Sequence, residues 1–203
     1  MAANGRVITG FSDPWVAVYA NSGTTVTYSS AQVLARGVSV DITPDDVSDD
    51  NIFYADNAPA EMDPGVFRGG DFTLTVDGML DAARDLVLGL PAATAVTSTL
   101  GTASFTAYGD NQAIPYVGFG FVMRYMSDGV TTYAALVLPK CKATNLSVSA
   151  ATQEEDIDWQ TQEITGRILR SDNANHDWQL VGEGRTTAAE ALNDVKIALG
   201  ASA

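Results

Sequence analysis

The stretch that most restricts the fold of this chain is residues 114–138, IPYVGFGFVMRYMSDGVTTYAALVL. Asp128-Gly129 is the pair that a two-residue type I′ turn asks for, so 114–126 and 130–138 read as the two arms of a hairpin. Side chains alternate along a strand, and a strand with one wet face alternates apolar with polar. These arms do not. Val117, Phe119, Phe121, Met123 and Tyr125 line one face, while the other carries Gly118, Gly120, Val122 and Met126, and the partner arm is apolar on both faces. A ribbon apolar on two sides needs cover on each, from a helix or from another subunit. Glycines at alternate positions leave room for a close neighbour. Gly118, Gly120, Val122 and Met126 are accordingly read as a candidate subunit interface.

A second constraint sits in residues 151–170, ATQEEDIDWQTQEITGRILR, where the buried parity changes. Ile157, Trp159 and Thr161 point one way in the first half; Ile164, Gly166 and Ile168 hold the even positions in the second. A straight strand cannot do this, so a bulge, a bend or a passage between sheets is expected near Gln162 and Glu163. Glu154, Asp156 and Asp158 form a carboxylate row on the face opposite Ile157 and Trp159. At ~7 Å spacing two unit charges in water repel by only ~0.6 kcal/mol, so the row is tolerable where that face stays wet.

The remaining chain supplies strands and two helices. Residues 15–20 and 24–28 read as strands joined at Asn21-Ser22-Gly23. Residues 32–42 follow, with Val38, Val40 and Ile42 in one register, until Pro44, which has no N–H to give a ladder. Residues 51–57 form a short aromatic strand and 66–77 a long one with Phe72, Leu74 and Val76 inward. Residues 79–90 carry an apolar stripe at helical spacing, ended by Gly89 and Pro91. Residues 92–104, rich in Ala and Thr, show neither period and read as a long interaction loop. Residues 187–199 read as a helix opened by a capping box of Thr187 with Glu190 and closed by Gly200. The expected class is mainly β: a β-sandwich or partly closed barrel of antiparallel strands with a flanking α-helix and a C-terminal helix, in a single domain over 1–203.

Charge and motif content narrow the function. With 25 acidic against 11 basic residues the formal net charge is −14, and no basic run is present to release counterions from a nucleic-acid backbone. The longest apolar run, 133–139, is far too short to cross a bilayer, and 1–10 lacks an apolar signal core. Lone Cys141 leaves no internal disulfide; Lys140 and Lys142 beside it could lower its pKa, but a small apolar residue near a strand end is the simpler role. His176, the one histidine, lies in the loop 171–177 with no nucleophile motif near it. No phosphate loop, dinucleotide fingerprint or zinc spacing occurs, and the acidic run 45–51 lacks the glycine and closing glutamate of a calcium loop. Neither catalytic residues nor a metal or cofactor site is assigned. Carboxylate pairs across a cleft, with Trp15, Trp159 and Trp178 as a sugar platform, keep a carbohydrate-binding or glycan-hydrolysing β-sandwich as the alternative.

Five blocks in order carry a resemblance: 15–40 (WVAVYANSGTTVTYS with LARGVSV), 53–57 (FYADN), 67–78 (FRGGDFTLTVDG), 108–133 (YGDNQAIPYVGFGFVMRYMSDGVTTY) and 151–166 (ATQEEDIDWQTQEITG). The chain resembles the major tail proteins, the tail tube subunits, of long non-contractile-tailed bacteriophages. The resemblance implies a structural virion protein, not an enzyme. Such a protein would be made in the bacterial host cytoplasm and assembled into hexameric rings that stack as a hollow tube. Partners would be further copies of itself and other tail proteins such as terminators and tape measure, with DNA passing through during genome ejection without specific binding and no membrane involved. An acidic bore suits such a conduit, because it repels phosphate; Glu154, Asp156 and Asp158 are the candidate lumen-facing residues, with the outer wall of the tube as the alternative place for them.

Overall fold

Cover for the two-sided ribbon comes from two directions within one chain. The computed structural model describes residues 5–45, 51–63, 66–110, 112–150, 152 and 159–201, with side chains described at all of these but 51–54 and 59–63. In chain order the elements are β1 (Val7–Ser22), β2 (Thr25–Val33), β3 (Gly37–Pro44), β4 (Asn51–Ala55), β5 (Ala58–Asp63), β6 (Gly70–Val76), α1 (Asp81–Leu88), β7 (Thr94–Ser98), β8 (Gly101–Phe105), β9 (Val117–Ser127), β10 (Val130–Ser147), β11 (Gln162–Ile168), β12 (Leu180–Val181) and α2 (Ala188–Ala198). The fold is mainly β, with the two helices expected. An antiparallel sheet runs β2-β1-β9-β10-β11-β6-β3, and β12 pairs with β10 beside this path. It curls but does not close into a barrel. β4–β5 and β7–β8 are separate two-stranded hairpins.

The central hairpin forms as its turn chemistry demands. Asp128 and Gly129 both take positive φ, 51° and 77°, as a type I′ turn requires. β10 is long enough to serve two partners on one edge: Leu136 and Val137 pair with β12, and Cys141 to Ser147 with β11. Between them the register with β9 shifts between Leu138 and Cys141, where Pro139 lacks the N–H to continue the ladder.

The odd face of β9 enters the main core. Val117, Phe119, Phe121 and Met123 pack there with Leu136 and Leu138 of β10, Phe72, Leu74 and Val76 of β6, Ile164 and Ile168 of β11, and Ala83 and Val87 of α1. Phe11 of β1 meets Phe121 edge-on at 5.6 Å. On the other side of the curl, a Cβ at Gly37 of β3 would lie 2.3 Å from the Phe11 ring, so only glycine lets β1 and β3 approach this closely.

The even face is covered by α2. Val122 is buried with Ala17, Ala135, Val137, Ala191, Val195 and Leu199. A Cβ on Gly118 would meet Tyr28 at 2.7 Å and Leu199 at 3.0 Å; one on Gly120 would meet Val195 at 2.7 Å. The close neighbour that the glycines call for is therefore a helix of the same chain. This corrects the reason for placing Gly118, Gly120 and Val122 in a subunit interface; Met126 alone of the four is exposed, near the hairpin's end. α2 is built as its sequence requires. Thr187 Oγ1 accepts from the Glu190 N–H at 3.3 Å and the Thr187 N–H donates to the Glu190 carboxylate at 3.1 Å, and Gly200 takes φ 62° after the last turn.

Several boundaries and one face differ from expectation. α1 begins at Asp81, and Gly89 at φ 60° ends it. β6 starts only at Gly70. Val38 sits at a register shift between Gly37 and Ser39 and is exposed, while Val40 and Ile42 pack inward. Residues 92–104, expected to be a loop, hold β7 and all of β8 but Phe105. Even positions Ile164, Gly166 and Ile168 are buried as the parity requires, but Trp159 is 83% exposed and outside any strand. The odd face of that stretch is therefore not buried at Trp159. Ile157, Glu154, Asp156 and Asp158 lie outside the described residues.

Replacing Gly120 by Leu drives a side chain into Val195 and Leu199. The expected cost is about 1–3 kcal/mol of unfolding free energy by urea titration. Gly10→Ala, with open space around its Cβ, should change little.

Candidate assembly surface

The β7–β8 hairpin stands out in the open. Every residue of both strands is exposed. Val96 pairs with Ala103 and Thr94 with Phe105, so these lie on one face, while Thr97 pairs with Thr102 and Ala95 with Ser104 on the other. The second face is polar, with the Thr97 and Thr102 hydroxyls 3.0 Å apart. The first is apolar and slightly concave, lined by Val96, Ala103, Phe105 and, at the tip, Leu100, which is 99% exposed. No charged residue occurs between Asp85 and Asp110. An uncharged two-stranded ribbon with open edges is marginal by itself and a template for further pairing. Its β-branched residues were the signal for strands; the tip, Thr99-Leu100 before Gly101, matches no common hairpin pair, which hid the turn.

The β4–β5 hairpin turns at Asp56-Asn57, both at positive φ. In the neighbouring described segments, the Asp45 N–H donates to the Gly69 carbonyl at 2.9 Å, Arg167 binds Asp45 and also Asp71 at 2.8 Å, and Phe67 stacks on Trp178 at 4.4 Å. The three tryptophans do not converge. Trp178 packs toward the main core, Trp15 lies beneath Lys196 of α2 at 4.9 Å, and Trp159 is exposed.

Below α2, the outer face of the sheet carries a polar cluster. Lys140 Nζ donates to Asp172 at 2.7 Å, and the Tyr19 hydroxyl donates to the same carboxylate oxygen at 2.8 Å. These two hydrogen bonds hold the Asp172 carboxyl below its usual 3.8. Lys140 and Lys142 flank the Tyr116 ring at 4.9 and 5.5 Å. Cys141 points the other way, fully buried, and burial pushes its thiol pKa up, so the flanking lysines do not activate it. His176 sits in a turn at φ 56° with Nδ1 3.0 Å from the Ser171 carbonyl oxygen.

An open cleft of about 400 Å³ is lined by Ser12, Asp13, Val33, Arg36, Asp77 and Leu80 among others. Desolvation acts to raise the Asp77 pKa, but hydrogen bonds from Arg36 outweigh it and hold the carboxyl below its usual value. A carboxylate kept ionised in this way is not poised as a general acid. Among the described residues, no group of three or more His, Cys, Asp or Glu side chains is arranged to hold a metal ion. Of the sequence-derived site residues, Gly118, Gly120 and Val122 gather under α2, Met126 stands apart at the ribbon's end, and the candidate lumen residues Glu154, Asp156 and Asp158 are outside the described set. No protein-family model matches the chain, and no curated protein matches it.

A carboxyl whose pKa is depressed by folding contributes stability above its unfolded value and loses it as pH falls through the folded one. Asp172→Asn should therefore lower the melting temperature at neutral pH, with the difference from wild type shrinking below about pH 4. Thermal melts from pH 7 to pH 2 check this; a constant difference across that range contradicts it.

Proposed function

We propose that the protein is a structural subunit that forms hexameric rings stacked into the tail tube of a long-tailed bacteriophage, an acidic conduit for genome passage. The observation that carries this reading is the β7–β8 hairpin, whose apolar face has no cover among the described residues. The central ribbon, by contrast, is enclosed by the curled sheet on one side and α2 on the other. The hairpin is uncharged, amphipathic and edge-exposed. A chain of net charge −14 that associates with copies of itself must do so where carboxylates are absent, since charge is depleted from the buried centre of contacts. The hairpin meets that condition. The ring and tube geometry rests on the five-block resemblance, and the net charge fits a channel in which DNA slides without being held.

Electron microscopy and sedimentation of the purified protein at rising concentration test the reading. Wild type should form rings or hollow tubes. Phe105→Asp, which puts an unpaired carboxylate on the hairpin's apolar face, should weaken assembly at least tenfold while leaving the melting temperature unchanged, because the residue is exposed in the monomer. A protein monomeric at every concentration, or a variant that assembles as wild type does, overturns it.

A further inference from the structure

We propose that the Asp13–Pro14 peptide bond is a scission site, at which the Asp13 carboxylate cuts its own chain. The observations lie in β1 and are independent of the assembly reading. Ser12 pairs with Val122 of β9 and Trp15 with Gly120, so Asp13 and Pro14 stand opposite the single residue Phe121. That is a bulge, and its two residues are outside the ladder. On the other edge of β1, pairing with β2 reaches only as far as Trp15. Asp13 takes φ 53°. Glycine fills such a position without strain; a residue with a side chain does not, and a following proline restricts it further toward extended backbone. Of the non-glycine residues at positive φ among those described, Asp13 alone precedes a proline. The backbone asks for glycine, and the chain places a carboxylate there.

The two sides of the bond are held differently. Pro14 is buried, and its carbonyl accepts from the Leu34 N–H at 2.9 Å. Asp13 is exposed on the wall of the open cleft described above, where water reaches it. The Ser12 hydroxyl donates to Asp13 Oδ2 at 2.7 Å, which holds the carboxylate by one oxygen.

A carboxylate is a nucleophile when its target is tethered beside it. One carboxylate oxygen of Asp13 adds to the carbonyl carbon of the same residue and closes a five-membered ring. The bond from that carbon to the Pro14 nitrogen breaks, and the nitrogen takes a proton from water, leaving as a secondary amine. Water then opens the cyclic anhydride, which restores the side-chain carboxylate and gives Asp13 a free α-carboxylate. The net reaction is hydrolysis, with nothing oxidised or reduced. Cutting here releases Asp13 from the restriction that proline imposes. Residues Val7 to Ser12 keep their pairing with β9, so the cut is read from the mass of the denatured chain.

Full-length wild type and Asp13→Gly, incubated at about pH 5 both folded and unfolded in urea, are followed by mass spectrometry. Asp63-Pro64 repeats the dipeptide and serves as an internal control. In folded wild type the cut after Asp13, giving fragments 1–13 and 14–203, should run about tenfold or more faster than the cut after Asp63, a margin within reach of one strained residue. In urea the two rates should converge. Asp13→Gly should lose the first cut while melting no lower than wild type. Equal or reversed rates in the folded protein, or no cut after Asp13, overturn the proposal and leave only the ordinary acid lability of the dipeptide. A rate difference that survives in urea belongs to local sequence and overturns it too. So does a cut that persists in Asp13→Gly, which needs no carboxylate, or a glycine variant that melts below wild type, which contradicts strain at this residue.

Discussion

The structure depends on enclosing a strand ribbon that has no polar face. From Val117 to Met123 every residue of β9 is buried, and β10 is apolar on both sides beside it. The large side chains go to the odd face and the glycines to the even one, and this asymmetry assigns the two covers. Phe119 and Phe121 need volume around them, which the curled sheet and α1 provide. Gly118 and Gly120 leave a shallow trough into which Val195 and Leu199 of α2 fit. Neither cover replaces the other: the curl buries rings, and the helix fills a trough that a side chain of any size would close.

With its core satisfied internally, the monomer leaves particular things unsatisfied. The β7–β8 hairpin offers an uncharged apolar face and open edges. In the proposed assembly, apolar contact at this hairpin, away from carboxylates, provides attraction that charge does not oppose. That contact addresses the difficulty of bringing acidic copies together.

Much of this fold was legible in the chain. The Asp128-Gly129 turn, the inward Phe72, Leu74 and Val76, the even parity of Ile164, Gly166 and Ile168, and the Thr187–Glu190 capping box are local patterns with local causes, and each appears where its spacing puts it. Non-local matters were less legible. Alternating glycines announce a close neighbour without saying whether it comes from the same chain, so the even face of β9 was read as an interface when α2, some seventy residues later in sequence, covers it. Trp159 shows the reverse: alternation suggests burial, but the side chain is exposed, with no element among the described residues packed over it. The β7–β8 hairpin was missed because its tip lacks the usual Asn-Gly or Asp-Gly signature and its small residues blur the period of two.

Amide hydrogen exchange, compared between dilute monomer and concentrated protein, tests most directly the claim that the ribbon is closed within one chain and the hairpin is left for a partner. The account requires slow exchange for β9 and α2 in both states, and fast exchange for β7 and β8 in the monomer that slows on assembly. Fast exchange of β9 and α2 in the dilute monomer, gaining protection only at high concentration, would contradict it, because the trough over Gly118 and Gly120 would then need another subunit to close.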